Sequence, residues 1–344
     1  MKILITGGAG YIGAHTIVEL FEMGYTELFS VDNFINSDGS NYDGIEEICG
    51  KRPKTFQLDL CDHKAVEELF NHYSFDAVIH FAALKSVPES VDLPHLYYRN
   101  NLNSLLNVLE QMKKKKVKQL IFSSSCSIYG NPETLPVTES TPFGETESPY
   151  ARTKQMGESI IRDFTHAHPE IKAISLRYFN PVGVHPSLKI GEKFNERPSN
   201  LVPIITQSAA GIRKQMTVFG DDYPTRDGSC IRDYIHVSDI ADAHIQALEY
   251  LKKEGNQNSY REINLGSGTG TSVLEMIHAF EELSEQKVPY VIGKRRAGDV
   301  ATIFADNQLA GQLLNWKAKY NLKEMLSTAW QWQKKILNDG TSHL

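Results

Sequence analysis

Three glycines set between a strand-like run and an amphipathic helical stretch constrain this chain more than any other feature. Lys2-Ile3-Leu4-Ile5-Thr6 reads as a strand, Gly7-Gly8-Ala9-Gly10-Tyr11-Ile12-Gly13 follows, and helical apolar spacing runs from about His15 to Met23. Glycines at 7, 10 and 13 permit a tight turn, close approach of a pyrophosphate to the backbone, and close packing of helix on strand. The helix amino terminus then supplies an anion site. Asp32 closes the second apolar run, nineteen residues after Gly13. A carboxylate there accepts hydrogen bonds from an adenosine ribose and repels a 2′-phosphate, which points to NAD(H) over NADP(H).

The runs Ile3–Thr6, Leu28–Asp32, Thr55–Asp59, Ala77–Phe81, Leu120–Ser124 and Ala173–Tyr178 alternate with amphipathic stretches of helical length. That alternation predicts βαβ units, hence an α/β fold with a doubly wound parallel sheet of Rossmann type. After Asn180-Pro181 the pattern breaks into a loop-rich stretch with Pro186, Gly191 and Pro198. We therefore expect residues 1–180 to form a dinucleotide-binding domain, with later strands near 231–266 returning to it. Residues 181–230 and 267–344 would mainly form a smaller α/β substrate-binding domain.

Composition narrows the function classes. A formal net charge of -6 leaves no excess of Lys and Arg to track nucleic-acid phosphates. The basic run Lys113–Lys116 follows apolar helical spacing and reads as a solvated helix terminus. Cys49, Cys61, Cys126 and Cys230 are far apart and form no CxxC, so neither a disulfide framework nor a clustered metal site is expected. The twelve histidines show no ligand spacing, which points to no catalytic metal. No apolar run reaches membrane-spanning length and no targeting pattern opens the chain, so no membrane is expected and the cytoplasm is the default compartment.

Tyr150 and Lys154 carry the chemistry we expect. Four residues apart on a helix, they share one face. A nearby ammonium favours the phenolate, moving a phenol towards use as an acid/base catalyst. Ser123-Ser124-Ser125 ends the fifth predicted strand, at the sheet edge where ligands of such folds bind. Asp59, at the end of the third, either meets the adenine amine or caps the next helix.

Several motifs together, in order, resemble the UDP-glucose 4-epimerases, a branch of the extended short-chain dehydrogenase/reductase family. They are TGGAGYIG at 6–13, HFAALKSV at 80–87, SSSCSIYG at 123–130, SPYARTK at 148–154, RYFNPVG at 177–183 and IRDYIHV at 231–237. The similarity extends to Asn315-Trp316 and the final helix. It implies a tightly held NAD that takes a hydride from C4 of a UDP-hexose and returns it to the other face of a transient 4-keto sugar. In that chemistry Tyr150 is the base, Lys154 tunes it and binds the nicotinamide ribose, and Ser125 hydrogen-bonds the same sugar oxygen. Whether Ser125 or Tyr150 makes the direct contact stays open. The resemblance also implies cofactor positions at Gly7, Gly10, Tyr11, Ile12, Gly13, Asp32, Asn33, Asn36, Ser37, Asp59, Leu60, Phe81, Ala82, Lys85, Asn100, Ser125, Tyr150, Lys154 and Phe179. For the nucleotide sugar it implies Lys85, Asn180, Asn200, Leu201, Thr217, Val218, Phe219, Arg232, Arg296 and Asp299. Two arginine forks suit a diphosphate, and Asp299 suits the uridine ribose. A homodimer is implied as well.

Departures from the family pattern bear on the substrate. Ser199 stands where an asparagine precedes Asn200, and the Gly191–Asn200 loop diverges. Ile303 occupies a position near the hexose where relatives carry Tyr or a small residue. Being shorter than Tyr, it suggests room for the 2-acetamido group of UDP-GlcNAc and UDP-GalNAc. A 4,6-dehydratase would need an acidic residue just after the serine run, and Cys126 and Ser127 stand there instead. A uronate epimerase and a non-catalytic NAD-binding protein are the remaining alternatives.

Overall fold

The computed structural model describes residues 1–192, 198, 200–253, 258–296 and 299–340. Its centre is a seven-stranded parallel sheet. The strands from the first half are β1 (Lys2–Thr6), β2 (Glu27–Asp32), β3 (Lys54–Gln57), β4 (Ala77–His80), β5 (Gln119–Ser125) and β6 (Lys172–Tyr178). Helices between and beside them are α1 (Tyr11–Glu22), α2 (Ser40–Cys49), α3 (His63–His72), α4 (Val87–Asp92), α5 (Pro94–Lys115) and α6 (Pro149–Ala167). The expected doubly wound architecture is present. Its inner strands are buried because both faces are covered, as in β4, where all four residues are buried, whereas the edge strand β3 is largely exposed.

The second half supplies β7 (Asn180–Val182), α7 (Leu201–Ala209), β8 (Met216–Phe219), β9 (Ile231–His236), α8 (Val237–Lys252) and β10 (Tyr260–Leu265). After these come β11 (Gly270–Ser272), α9 (Val273–Ser284), β12 (Tyr290–Gly293), β13 (Thr302–Ile303), α10 (Gln308–Leu314) and α11 (Leu322–Asn338). The large sheet runs β10-β6-β5-β4-β1-β2-β3. Of the later runs, β10 is thus an edge of this sheet. By contrast, β9 pairs with β7, β11 and β13 in a smaller sheet. The chain leaves β6 after Tyr178 and enters β7, where Asn180 Nδ2 donates to the Asp233 carbonyl of β9 at 2.7 Å. A core of α9, α11, α7 and β8 side chains, including Met276, Phe280 and Leu326, lies under this region.

Local chemistry sets several boundaries. Helix α1 begins at Tyr11, four residues before the start that apolar spacing suggests, because Gly10 is its N-cap. Asp59 does not cap α3: β3 ends at Gln57, and Asp62 takes the cap, accepting from the N–H groups of Lys64 and Ala65. Lys113–Lys115 do close α5, with an exposed Lys116 in the left-handed region beyond. Among the described residues, no helix is long and apolar enough to cross a membrane, and no group of three or more His, Cys, Asp and Glu could hold a metal ion.

Four histidines are buried as neutral rings. Burial pushes His15 and His80 down to about 3, and His236 and His244 down to about 4. Burial raises Glu19 to about 7 and Asp239 to about 6. Between pH 4 and 6.5 the unfolded chain therefore protonates four histidines that the folded chain does not, while the folded chain holds two protons that unfolded carboxylates have lost. The four histidines outnumber these two carboxyls, so the balance among these six groups favours unfolding as pH falls. Urea midpoints should accordingly be lower at pH 5 than at pH 7; an equal or higher midpoint at pH 5 would contradict the histidine assignment.

Candidate active site

The carboxyl edge of the large sheet gathers most of the residues singled out in the sequence. At β1, Gly7 has φ +71°, and a Cβ there would lie 2.8 Å from the Ala82 backbone nitrogen. A Cβ on Gly13 would overlap the Gly7 carbonyl oxygen and lie 2.8 Å from Gly8 Cα. Only glycine lets α1 sit this close to the turn. Asp32 ends β2 beside this turn, accepting from Ala9 N at 3.1 Å, Phe34 N at 3.0 Å and Ser37 Oγ at 3.3 Å. Burial raises its carboxyl, and these hydrogen bonds oppose that rise. Asn33 accepts from Ile35 N at 3.1 Å, and Asn36 is exposed next to it.

Asp59 and Leu60 fall in the turn after β3, where Asp59 accepts from Cys61 N at 2.9 Å. Cys61 lies against Asn100, with Sγ 3.5 Å from its carbonyl. Beyond β4, the amide nitrogens of Phe81 and Ala82 bond to Thr6, which fixes this strand end on β1. Lys85 reaches across to Glu192 at 2.7 Å. Tyr11 is buried, and its hydroxyl donates to the Gly183 carbonyl; Ile12 packs with Tyr11, Val184 and Trp332. The residues from Gly183 to Glu192 form a strap over the glycine turn. Asn41 ties the two, donating to Ala9 O at 2.9 Å and Gly191 O at 3.3 Å.

Ser125, Tyr150 and Lys154 meet at the end of β5. Pro149 and Tyr150 open α6, with Ser148 as N-cap accepting from Ala151 N. Tyr150 hydrogen-bonds Ser125, and Lys154 Nζ lies 5.9 Å from the centre of the Tyr150 ring. Lys154 is 4% exposed, and its ammonium donates to Ser123 O at 2.6 Å. One expectation needs correcting here. Burial pushes Tyr150 up to about 12, and the Ser125 bond only partly offsets it. The lysine sits beside the ring face and spends a hydrogen bond on Ser123, so desolvation outweighs its charge. Burial also lowers Lys154 to about 8, against the opposing effect of Glu158.

Across the cleft, Arg232 and Arg296 converge on Asp299, at 3.7 and 2.7 Å. Arg296 also lies over the exposed Phe219, 5.4 Å from its ring centre, while Thr217 and Val218 precede it on β8. Ile303 is paired in register with Arg232 and packs with Ile128, Tyr129, Val137 and Phe179. Asn200 and Leu201 start α7. Lys193–Arg197, Ser199, Ala297 and Gly298 lie outside the described residues.

Residues 4–329 match the family described as GDP-mannose 4,6 dehydratase. The UDP-glucose 4-epimerase of Bacillus subtilis (strain 168) is 49% identical over 338 residues, covering 98% of both chains. The chain belongs to the UDP-glucose 4-epimerase family. Its fold agrees with that of solved family members. The Stenotrophomonas maltophila UDP-glucose-4-epimerase with bound NAD and formylated UDP-arabinopyranose is 44% identical, with a TM-score of 0.94 over 98% of this chain and 99% of that one. The Bifidobacterium longum UDP-glucose 4-epimerase in complex with NAD+ and UDP matches at 44% and 0.93, again over 98% and 99%.

Several residues of this epimerase-family site escape a reading of the sequence. Glu192 stands there only as part of a divergent loop, and its one signal is a carboxylate beside Gly191. Tyr178 bonds Ser123 through its hydroxyl, and its place in Arg177-Tyr178-Phe179-Asn180 is the clue. Glu158 and Arg177 form a buried ion pair behind the Ser125–Tyr150–Lys154 cluster. Spacing of four from Lys154 is the sign for Glu158.

Proposed function

We propose that the chain interconverts UDP-glucose and UDP-galactose by epimerisation at C4, with tightly bound NAD, in galactose metabolism. The observation that carries this reading is the Ser125–Tyr150–Lys154 cluster at the carboxyl edge of a parallel sheet, facing two arginines that converge across the cleft. The residues at the glycine turn suit a dinucleotide: Gly7 and Gly13 let β1, the turn and α1 pack closer than any Cβ would allow, and Asp32 closes β2 beside them. Gly10, Tyr11, Ile12, Asn33, Asn36, Ser37, Asp59, Leu60, Phe81, Ala82, Lys85, Asn100 and Phe179 would complete the NAD site. Relatives crystallised with NAD support the same cofactor. The cofactor supplies a hydride acceptor and, in its oxidised form, a positive charge.

The chain's own residues handle the proton. Tyr150 takes it from the 4-hydroxyl and returns it when the inverted alcohol forms, with Ser125 bonded to the phenol as a relay partner. Because burial holds the phenol near 12, the proton is returned readily, and forming the phenolate depends on positive charge nearby. Lys154 supplies that charge. Arg232 and Arg296 would exchange Asp299 for the sugar diphosphate, leaving the carboxylate for the uridine ribose. Asn180, Asn200, Leu201 and Thr217 to Phe219 would enclose the rest of the nucleotide sugar.

In this reading residues 1–180 with β10 carry the cofactor, and residues 181–230 and 267–344 mainly the substrate. Ile303, buried beside Phe179, is shorter than a Tyr would be at that position, and acceptance of N-acetylated sugars rests on that shorter side chain alone. Val87, Val91, Leu93 and Leu96 are exposed along α4 and the start of α5. Such an apolar face suits a second copy of the chain, giving a homodimer. All four cysteines are free, which agrees with a reducing cytoplasm.

One assay tests these points. The purified protein, with no NAD added, should interconvert UDP-galactose and UDP-glucose and turn over UDP-GlcNAc, while eluting from a sizing column as a dimer. Failure on UDP-galactose would defeat the main reading. Turnover of UDP-galactose without UDP-GlcNAc would defeat only the Ile303 argument, and a monomer only the dimer.

A further inference from the structure

The end of β5 is zipped to one stripe of α6. Tyr150, Lys154 and Glu158 stand four residues apart, one above another on the helix. Each engages a member of the serine run: Tyr150 bonds Ser125, Lys154 donates to Ser123 O, and Glu158 accepts from Ser124 Oγ. Glu158 and Ser124 are fully buried. From β6, Arg177, the register partner of Ser124, closes on Glu158 with Nε at 2.9 Å and Nη2 at 2.6 Å. Its Nη1 donates to Tyr129 at 3.0 Å, and Tyr129 donates to Asn264 on β10 at 2.6 Å. The network crosses three neighbouring strands directly behind the cluster.

We propose that Glu158 is a positioning residue for the reaction: it locks the register of Ser125 against Tyr150 and provides the buried counter-charge for the Lys154 ammonium. A buried carboxylate needs only one cation fork, and Arg177 already fills that need. The placement of Glu158 one turn beyond Lys154, on the same buried stripe, gives it a second task. Its field raises Lys154 against the lowering caused by burial. Around Lys154 and Glu158 the other titratable groups are Tyr150 and Arg162 on α6, His80 on β4, Arg177 and Tyr178 on β6, and Tyr260 and Glu262 on β10. His80 is neutral above pH 4. Arg162 and Glu262 pair with each other at the outer end. Glu158 is thus the negative group that opposes discharge of Lys154.

The inference rests on the epimerase reading and is tested within it. In Glu158→Gln the alkaline limb of the kcat–pH profile should move down by about one pH unit, and Glu158→Asp should move it back towards wild type. Because Glu158→Gln leaves the buried Arg177 with only Glu262, at 3.8 Å, as a charged partner, the double variant Glu158→Gln/Arg177→Met serves as a second test, since apolar replacement within a buried pair is often tolerated. The same downward shift is expected. Ser124→Ala removes only the hydroxyl that meets Glu158, and should lower kcat about tenfold with KM unchanged through loosened register. An unmoved limb in the folded charge variants would overturn the counter-charge role, and wild-type kcat in Ser124→Ala would overturn the positioning role. An inactive wild-type protein would instead undo the epimerase reading itself.

Discussion

Tyr150→Phe should lower kcat by about 10²–10⁴-fold, the range that general acid–base catalysis contributes. Substrate KM and bound NAD should be nearly unchanged. The phenyl ring keeps the buried volume, and only the hydroxyl bonded to Ser125 is lost. That hydrogen bond is worth about 1 kcal/mol to folding, so the variant should fold and melt close to wild type. Rate measurement under saturating UDP-galactose, beside a melting curve, separates the two effects. A variant within about threefold of wild-type kcat would mean that Ser125, not Tyr150, takes the proton.

The second large effect concerns the glycine turn, where the structure ranks residues that the sequence treats alike. Gly13→Ala should cost up to about 3 kcal/mol, the upper end of overpacking penalties, and release NAD. Its Cβ would meet backbone atoms of Gly7 and Gly8, which have no flexible side chain to move. At Gly10 a Cβ meets only the Gly7 carbonyl oxygen, at 3.2 Å. Gly10→Ala should therefore fold normally and lose cofactor affinity alone, because this residue's task is close approach of the pyrophosphate. Urea titration and the NAD released on denaturation would show the split. Equal stability of the two variants would refute the ranking.

Much of the fold and site is legible in the sequence. The alternation of apolar runs with helical stretches follows from burying both faces of a parallel sheet, so β1 to β6 stand out. Tyr150, Lys154 and Ser125 emerge from a spacing and a strand end, both local properties. What escapes depends on three-dimensional partners. Arg177 and Glu158 are residue types that composition places on surfaces, yet they are 2% and 0% exposed because each completes the other. Asp59 and Asp62 compete for the same cap three residues apart, and only the turn geometry decides. Spacing misleads on the direction of the Tyr150 shift, because it reports a neighbouring charge but not the depth of burial. The departure of β9 from the large sheet depends on its pairing with β7, a three-residue strand that no apolar run marks in the sequence.

The place of β10 at the edge of the large sheet has a consequence for biosynthesis. Its neighbour β6 ends at Tyr178, and β10 begins at Tyr260, so 81 residues are made between the two. Helix α8, which packs on the dinucleotide helix α1, also belongs to that interval. At about 5–20 residues per second, an emerging chain holds β6 as an unpaired edge, with one face of α1 bare, for about 4–16 s. Such an edge is open to pairing with another nascent chain. The large sheet therefore cannot be completed before the chain through Leu265 is made, and a ribosome stalled between residues 180 and 260 should display a sticky, chaperone-dependent intermediate rather than a finished domain.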